Sequence, residues 1–222
     1  NAGAGRLAQN MVDVNAGAGR LALNAGLGLA HASLPADERA ALESATLRDS
    51  FFAAVRAGLV DDVARLLDAG ADVAHTNIVG ETPLRVACHK NQVAVARLLL
   101  DRGADVHEVD RFGSPLISTC SLGHVEVARL LIDRGADLHQ VAGNGETALH
   151  CASAAGQFEA ARLLIGRGAD VDRMRHGGGT ALTHAVEWER ADRLGHAAVA
   201  RLLLERGADP RRGARMSALA LA

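Results

Sequence analysis

Val63-Ala64-Arg65-Leu66-Leu67, Val95-Ala96-Arg97-Leu98-Leu99, Val127-Ala128-Arg129-Leu130-Leu131 and Val199-Ala200-Arg201-Leu202-Leu203 are four copies of one pentapeptide. A near copy, Ala160-Ala161-Arg162-Leu163-Leu164, fills the gap between the last two. Each copy runs into Gly-Ala-Asp, at Gly70, Gly103, Gly135, Gly168 and Gly207, so the glycine spacings are 33, 32, 33 and 39. A fixed period near 33 residues marks a stacked solenoid, in which each unit contacts only its neighbours. Such an architecture presents a long surface rather than a catalytic cavity. Binding is therefore the first functional expectation.

The unit at residues 144–173 shows how one period folds. Thr147 is suited to cap a helix, because its hydroxyl can accept a hydrogen bond from a free backbone N–H. Residues 148–155 supply about two turns, and Gly156 ends them as a residue that tolerates left-handed geometry. Phe158, Ala161, Leu164 and Ile165 then recur at helical spacing. Gly168 closes this second helix, and Asp170-Val171 leads away toward the next unit. In two other units proline follows the capping residue, as Thr82-Pro83 and Ser114-Pro115, which is the helical position where proline fits best. Helices this short do not stand alone, so each needs its neighbour to cover its apolar face. The fold expected is all-α, built of helix-turn-helix units with projecting loops.

Thr82-Pro83-Leu84, Ser114-Pro115-Leu116, Thr147-Ala148-Leu149-His150-Cys151-Ala152 and Thr180-Ala181-Leu182 resemble the ankyrin-repeat motif Thr-Pro-Leu-His-x-Ala. Gly123-His124 and Gly195-His196 resemble the Gly-His that precedes the second helix in that family. The resemblance covers residues 47–222. Only His150 keeps the family histidine; Arg85, Ile117 and Thr183 replace it, and weaker local hydrogen bonding is expected there. Residues 47–75 resemble an amino-terminal capping repeat, with Arg48, Asp49 and Arg56 as its polar coat. Residues 216–222 resemble the start of a sixth repeat. The organisation expected is therefore an Ala/Gly-rich tail or docked helix at 1–34, a leading helix and capping repeat at 35–75, and repeats from 76 to 222 with the last incomplete.

The first 34 residues differ from the rest. The octamer NAGAGRLA occupies residues 1–8 and again 15–22. Leu23, Leu27, Ala30 and Leu34 have helical spacing, but Gly26 and Gly28 each oppose a helix by ~1 kcal/mol. Pro35-Ala36-Asp37-Glu38 reads as a helix start, with acids placed to suit the helix dipole.

Composition narrows the function. Apolar residues make up 49% of the 222 and aromatics only 2%, so the core must be Ala, Leu and Val. The net charge of -2 carries no basic excess, and no nucleic-acid partner is expected. Lys90 is the only lysine among the cationic residues; with the alanine content this points to a GC-rich bacterial genome. Cys88 and Cys120 occupy equivalent places where Ser153 and Val186 stand in later units, a position that wants a small buried side chain. They and Cys151 are expected to be reduced core thiols, as in the cytoplasm. No apolar run approaches the ~20 residues of a membrane span, and no secretory signal is evident.

The resemblance also implies where a protein partner would touch: loop tips and the exposed side of the first helices. The positions implied are Val79, Glu81, Arg111, Phe112, Asn144, Glu146 and His176 on loops, and His89, Lys90, Leu122, Glu187 and Trp188 on first helices. The 39-residue step carries an insertion around residues 187–194, rich in helix formers, which is expected to lengthen the first helix of that repeat. Trp188, Arg190 and Arg193 there make a candidate projection, since Trp and Arg are enriched at binding hot spots. The third unit is one residue shorter before Ser114, which is expected to tilt Phe112.

Chemistry beyond binding finds no support. The ten histidines are spread by the repeat itself, and neighbouring repeats about 10 Å apart do not converge on a metal. His176-Gly177-Gly178-Gly179-Thr180 lacks the lysine of a phosphate loop. No catalytic set, metal or cofactor is expected. The expectation is a non-catalytic interaction module with a protein partner, with no nucleic acid and no membrane. The alternatives are a regulatory or targeting part of an enzyme, with that enzyme as a subunit in a complex, or an inhibitor or immunity-type protein that blocks a partner's active site.

Overall fold

The computed structural model describes residues 36–109, 113–187 and 193–213; the side chains of 36–42, 187 and 193–194 fall outside that description. The chain divides into two units, 1–47 and 48–222. Helix α1 spans Ala36–Ala57. It starts where the Pro-Ala-Asp-Glu segment predicts.

The second unit is a series of short helices, with no strand among the described residues. After α1 come α2 (Val60–Asp68), α3 (Pro83–His89), α4 (Val93–Asp101), α5 (Pro115–Ser121) and α6 (Val125–Asp133). Then follow α7 (Ala148–Ala154), α8 (Phe158–Gly166), α9 (Ala181–Glu187) and α10 (Arg193–Glu205). The first helices α3, α5, α7 and α9 pack on one another in order, and so do the second helices α2, α4, α6, α8 and α10. Two rows of helices thus enclose a continuous core.

The repeated pentapeptide builds that core. Val63, Val95, Val127 and Val199 are wholly buried, as are Leu99, Leu131, Leu164 and Leu203. Each such side chain contributes about 2 kcal/mol through burial. The arginine at the centre of each copy is exposed at 65, 97, 129, 162 and 201. It faces solvent, where Arg162 pairs with Glu159 at 2.6 Å and Arg65 with Asp62 one turn earlier. At the end of α1, Phe51 and Phe52 are buried edge to face, with ring centroids 6.1 Å apart.

Caps and turns follow the motif residues. The hydroxyls of Thr82 and Ser114 accept from the backbone N–H of Arg85 and Ile117 at 3.3 and 3.4 Å. His150 completes a capping box in the fourth repeat, its Nδ1 accepting from the Thr147 N–H at 3.3 Å. The aspartate of every Gly-Ala-Asp has one task. Asp72, Asp105, Asp137, Asp170 and Asp209 each accept, through Oδ1, from the N–H two residues on, at 2.8–2.9 Å. This Asx turn redirects the chain from the second helix into the projecting loop.

Ion pairs tie the second helices together. Asp68, Asp101 and Asp133 end α2, α4 and α6 and accept from Arg102, Arg134 and Arg167 of the following repeat at 2.7, 2.8 and 2.8 Å. The equivalent of these aspartates at the end of α8 is Gly166.

Four expectations need correction. Arg85, read as a lost histidine, is buried and donates from Nη1 to the Gly113 carbonyl of the next repeat at 3.3 Å. A long side chain has replaced a short-range bond with an inter-repeat one. Val186, matched to the buried Cys88, Cys120 and Ser153, is 62% exposed. Those three are covered by the following repeat, and none among the described residues covers Val186. Gly195 does not precede the second helix but lies inside α10, which is 13 residues long against 9 for α8. There it allows close approach, since a Cβ at Gly195 would meet the Gly156 carbonyl oxygen at 2.7 Å. Finally, the described part of the insertion lengthens the second helix of its repeat, because α10 begins at Arg193; residues 188–192 lie outside the description.

Candidate functional site

The projecting loops and the ends of the first helices carry the described residues among the expected contacts. The loops are built alike. The N–H of Asn77 donates to the Glu81 carbonyl at 2.9 Å, that of Ala142 to Glu146 at 2.9 Å, and that of Arg175 to Gly179 at 2.9 Å. Each tip turns at a glycine with positive φ, such as Gly80 at 80° and Gly145 at 81°, a region that side chains rarely enter. The tip residues are consequently held outward on a fixed backbone. Ile78 is 105% exposed and Val79 47%.

The expected contact residues separate into two groups. Val79, His89, Lys90, Leu122, Asn144 and His176 are exposed. Asn144 and His176, from neighbouring loops, are joined by a bond from the His176 N–H to the Asn144 carbonyl at 3.1 Å. Glu81 and Glu146 are half-buried and act inward. The Asn77 side-chain amide donates to Glu81 Oε2 at 3.0 Å, bracing its loop. Arg111, Phe112, Trp188 and Arg190 lie outside the described residues, and of Glu187 and Arg193 only the backbone is described, at the ends of α9 and α10.

Glu146 belongs to a polar cluster that spacing alone did not show. Its carboxylate lies 3.6 Å from Arg175 Nη1 and 3.6 Å from His184 Nε2, and the Cys151 thiol donates to it at 3.7 Å. The His184 and His150 rings meet edge to face at 5.4 Å. Because Nδ1 of His150 accepts from Thr147, its ring proton is on Nε2. That nitrogen is buried near the carbonyls of Gly179 and Arg173 without a well-formed bond to either. Burial, with the His184 ring beside it, pushes the His150 pKa down. Burial likewise pushes Cys151 up to about 12, helped by the Glu146 carboxylate. Cys88 rises to about 12 for the same first cause, and Cys120 rises as well. These thiols are poor nucleophiles.

A groove at the start of the row was also missed. Arg48, Phe52 and Arg56 lie on one stripe of α1, with Asp49 and Ala53 beside them, and face residues 76–79 of the first loop across a space of about 530 Å³. The spacing 48, 52, 56 was the available signal, but Arg48 and Arg56, with Asp49, read from the sequence as the polar coat of a capping repeat. Among the described residues, no group of three or more His, Cys, Asp or Glu could hold a metal ion, and no helix is long and apolar enough to cross a membrane.

The sequence profile described as ankyrin repeats (three copies) matches residues 51–142 and again 136–213. No curated protein matches the chain significantly. Ankyrin repeats generally serve as protein–protein interaction modules and are typically non-catalytic. With its repeated helix pairs, hydroxyl caps and aspartate-turned loops covered by that match, the chain belongs to the ankyrin-repeat family.

Proposed function

We propose that this chain is a non-catalytic module that holds a protein partner along its loop tips and first helices. One observation carries the reading. Eight large apolar side chains are exposed among the described residues: Ile78, Val79, Val109 and Met174 lie on projecting loops and Leu122 and Val186 on a first helix or its C-cap, against Leu59 in a helix–helix turn and Leu204 on a second helix. Exposed apolar groups cost the free protein hydration and gain only when a partner covers them. The second-helix row carries the paired arginines instead, which offer little to a partner. Glu81 and Glu146 contribute by fixing the loops that bear the contact residues. Trp188, Arg190 and Arg193 are further candidate contacts for that partner, on residue type and spacing alone. The three free thiols suit a reducing, cytoplasmic setting.

The test is capture of partners by the tagged full chain, identified by mass spectrometry. Ile78→Asp, Leu122→Asp and Trp188→Ala are expected to lose the partner, while Arg97→Glu and Arg129→Glu on second helices keep it. A partner lost only with the second pair would overturn the proposal.

A further inference from the structure

We infer that the groove between α1 and the first loop is a docking site for an extended peptide segment that carries one bulky apolar side chain between two carboxylates. The inference rests on the protein-binding reading and adds the chemistry of the ligand. Three observations support it.

The groove has an apolar middle. Phe52 is its nearly buried floor, Ala53 is exposed beside it, and Ile78 and Val79 form the opposite wall. A space of about 530 Å³ falls in the range of ligand-binding clefts, about 300–1,000 Å³. Ile78 is wholly exposed, so burying it is a gain available only on docking.

The groove also has basic ends. Arg48 and Arg56 lie eight residues apart on the α1 stripe, which is about 12 Å along a helix. An extended peptide covers that distance in about four residues. Carboxylates three or four positions apart would therefore reach both guanidinium groups, with the apolar side chain between them. Arg48 Nη1 lies 3.2 Å from Nε2 of the His75 ring. Arg56 has no ion pair among the described residues. Asp49 is the one acid in the lining.

This basic edge does not follow from the composition, because the whole chain has a net charge of -2. In the next repeat the cationic Lys90 is exposed directly after α3. Charge complementarity therefore favours an acidic ligand. Reversing a charge at the rim of such a site slows association and changes its salt dependence.

The experiment pans a display library of random peptides, about twelve residues long, on the full chain. Selected peptides are then measured by fluorescence anisotropy. Enrichment of acidic residues three or four apart around a bulky apolar one is expected. Affinity should fall about ten-fold or more in Arg56→Glu and in Ile78→Asp, weaken with added salt, and stay unchanged in Arg129→Glu. Circular dichroism of each variant shows whether it folds, and Arg56→Gln, the milder change, should give a smaller loss. Selected peptides without acidic enrichment, or with full affinity for both groove variants, overturn the groove while leaving the binding module intact. No enrichment of any peptide, together with no captured protein, overturns both. A single-stranded oligonucleotide whose binding needs Arg56 and competes with the peptides also overturns the assignment to an acidic peptide.

Discussion

Gly166→Asp should strengthen the junction between the fourth and fifth repeats, and the structure sets the size of the effect. Asp68, Asp101 and Asp133 each accept an arginine from the following repeat at 2.7–2.8 Å. At the next step Arg206 directly follows α10, as Arg102, Arg134 and Arg167 follow their helices, but the facing position is Gly166. A Cβ there meets nothing within 4 Å, so the new side chain has room. Replacing glycine by aspartate in a helix gains about 0.3 kcal/mol of propensity. An acid at a helix C-terminus loses about the same to the dipole. What remains is the ion pair. In the three existing pairs the arginine side chains are 31–38% exposed and the aspartates 54–68%, which places each near the surface value of about 0.2–1 kcal/mol.

Measurement requires a double-mutant cycle, because Gly166→Ala alone gains up to ~1 kcal/mol from propensity. Urea is the denaturant, since guanidinium salts would screen the pair. The stabilisation by Gly166→Asp should fall by about 0.5 kcal/mol when Arg206→Ala is also present, and the difference should vanish in high salt. Gly166→Ala should show no such coupling. Solenoid stability sums over neighbouring interfaces, so the gain should appear chiefly as slower amide exchange in α9 and α10. A cycle with no coupling would refute the view that position 166 is the missing member of the ladder.

Asn91 adopts φ 57°, where Gly58, Gly123 and Gly156 stand in other repeats. Asn91→Ala should cost about 1 kcal/mol in urea unfolding and Asn91→Gly should not; an alanine variant as stable as the parent would count against a required left-handed residue. For His150 the pKa is lowered in the fold, so the unfolded chain takes up the proton first as pH falls. Stability is thus full above the unfolded histidine pKa of about 6.5 and declines below it, down to the folded pKa. His150→Gln preserves a capping-box acceptor and should flatten this part of the pH profile; an unchanged slope would clear His150. The thiols of Cys88, Cys120 and Cys151 should resist a thiol reagent in the native protein and react together after unfolding, and rapid native labelling of Cys88 would contradict its burial.

The core was legible because each position repeats its environment. A residue such as Val95 or Leu131 is buried by copies of the same unit, so period and class suffice to place it. The Asx-turn role of the five aspartates is equally local. What spacing could not carry is reach. Arg85 satisfies the next repeat through a side chain several bonds longer than histidine, and nothing near it in sequence indicates Gly113 as the acceptor. Glu146, Arg175 and His184 come from two loops and a first helix, and only stacking brings them together. Val186 shows the converse: its class matches Cys120, yet it is exposed, because burial is a property of what packs against a side chain and not of its class.

This difference between class and neighbour bears on where a partner can be selective. A side chain already satisfied inside the stack, such as Arg134 on Asp101, must break a bond before it can serve a ligand. A side chain on a fixed backbone with nothing to hold, such as Ile78 or Arg56, pays little ordering or desolvation cost on docking. The loops combine both features. Asn77 Oδ1 binds the N–H groups of Val79 and Glu81 at 3.0 Å each, so the backbone under Ile78 is set before any partner arrives. Asn77→Ala should therefore weaken peptide binding at the α1 groove although Asn77 carries no charge to offer. Asn77→Asp keeps the backbone acceptor but loses the donor to Glu81 Oε2 and sets two carboxylates side by side, so it should loosen the loop, weaken a neutral apolar peptide somewhat and weaken an acidic one more. Equal loss for acidic and neutral peptides in Asn77→Asp would mean that shape alone, and not charge, decides what the groove accepts.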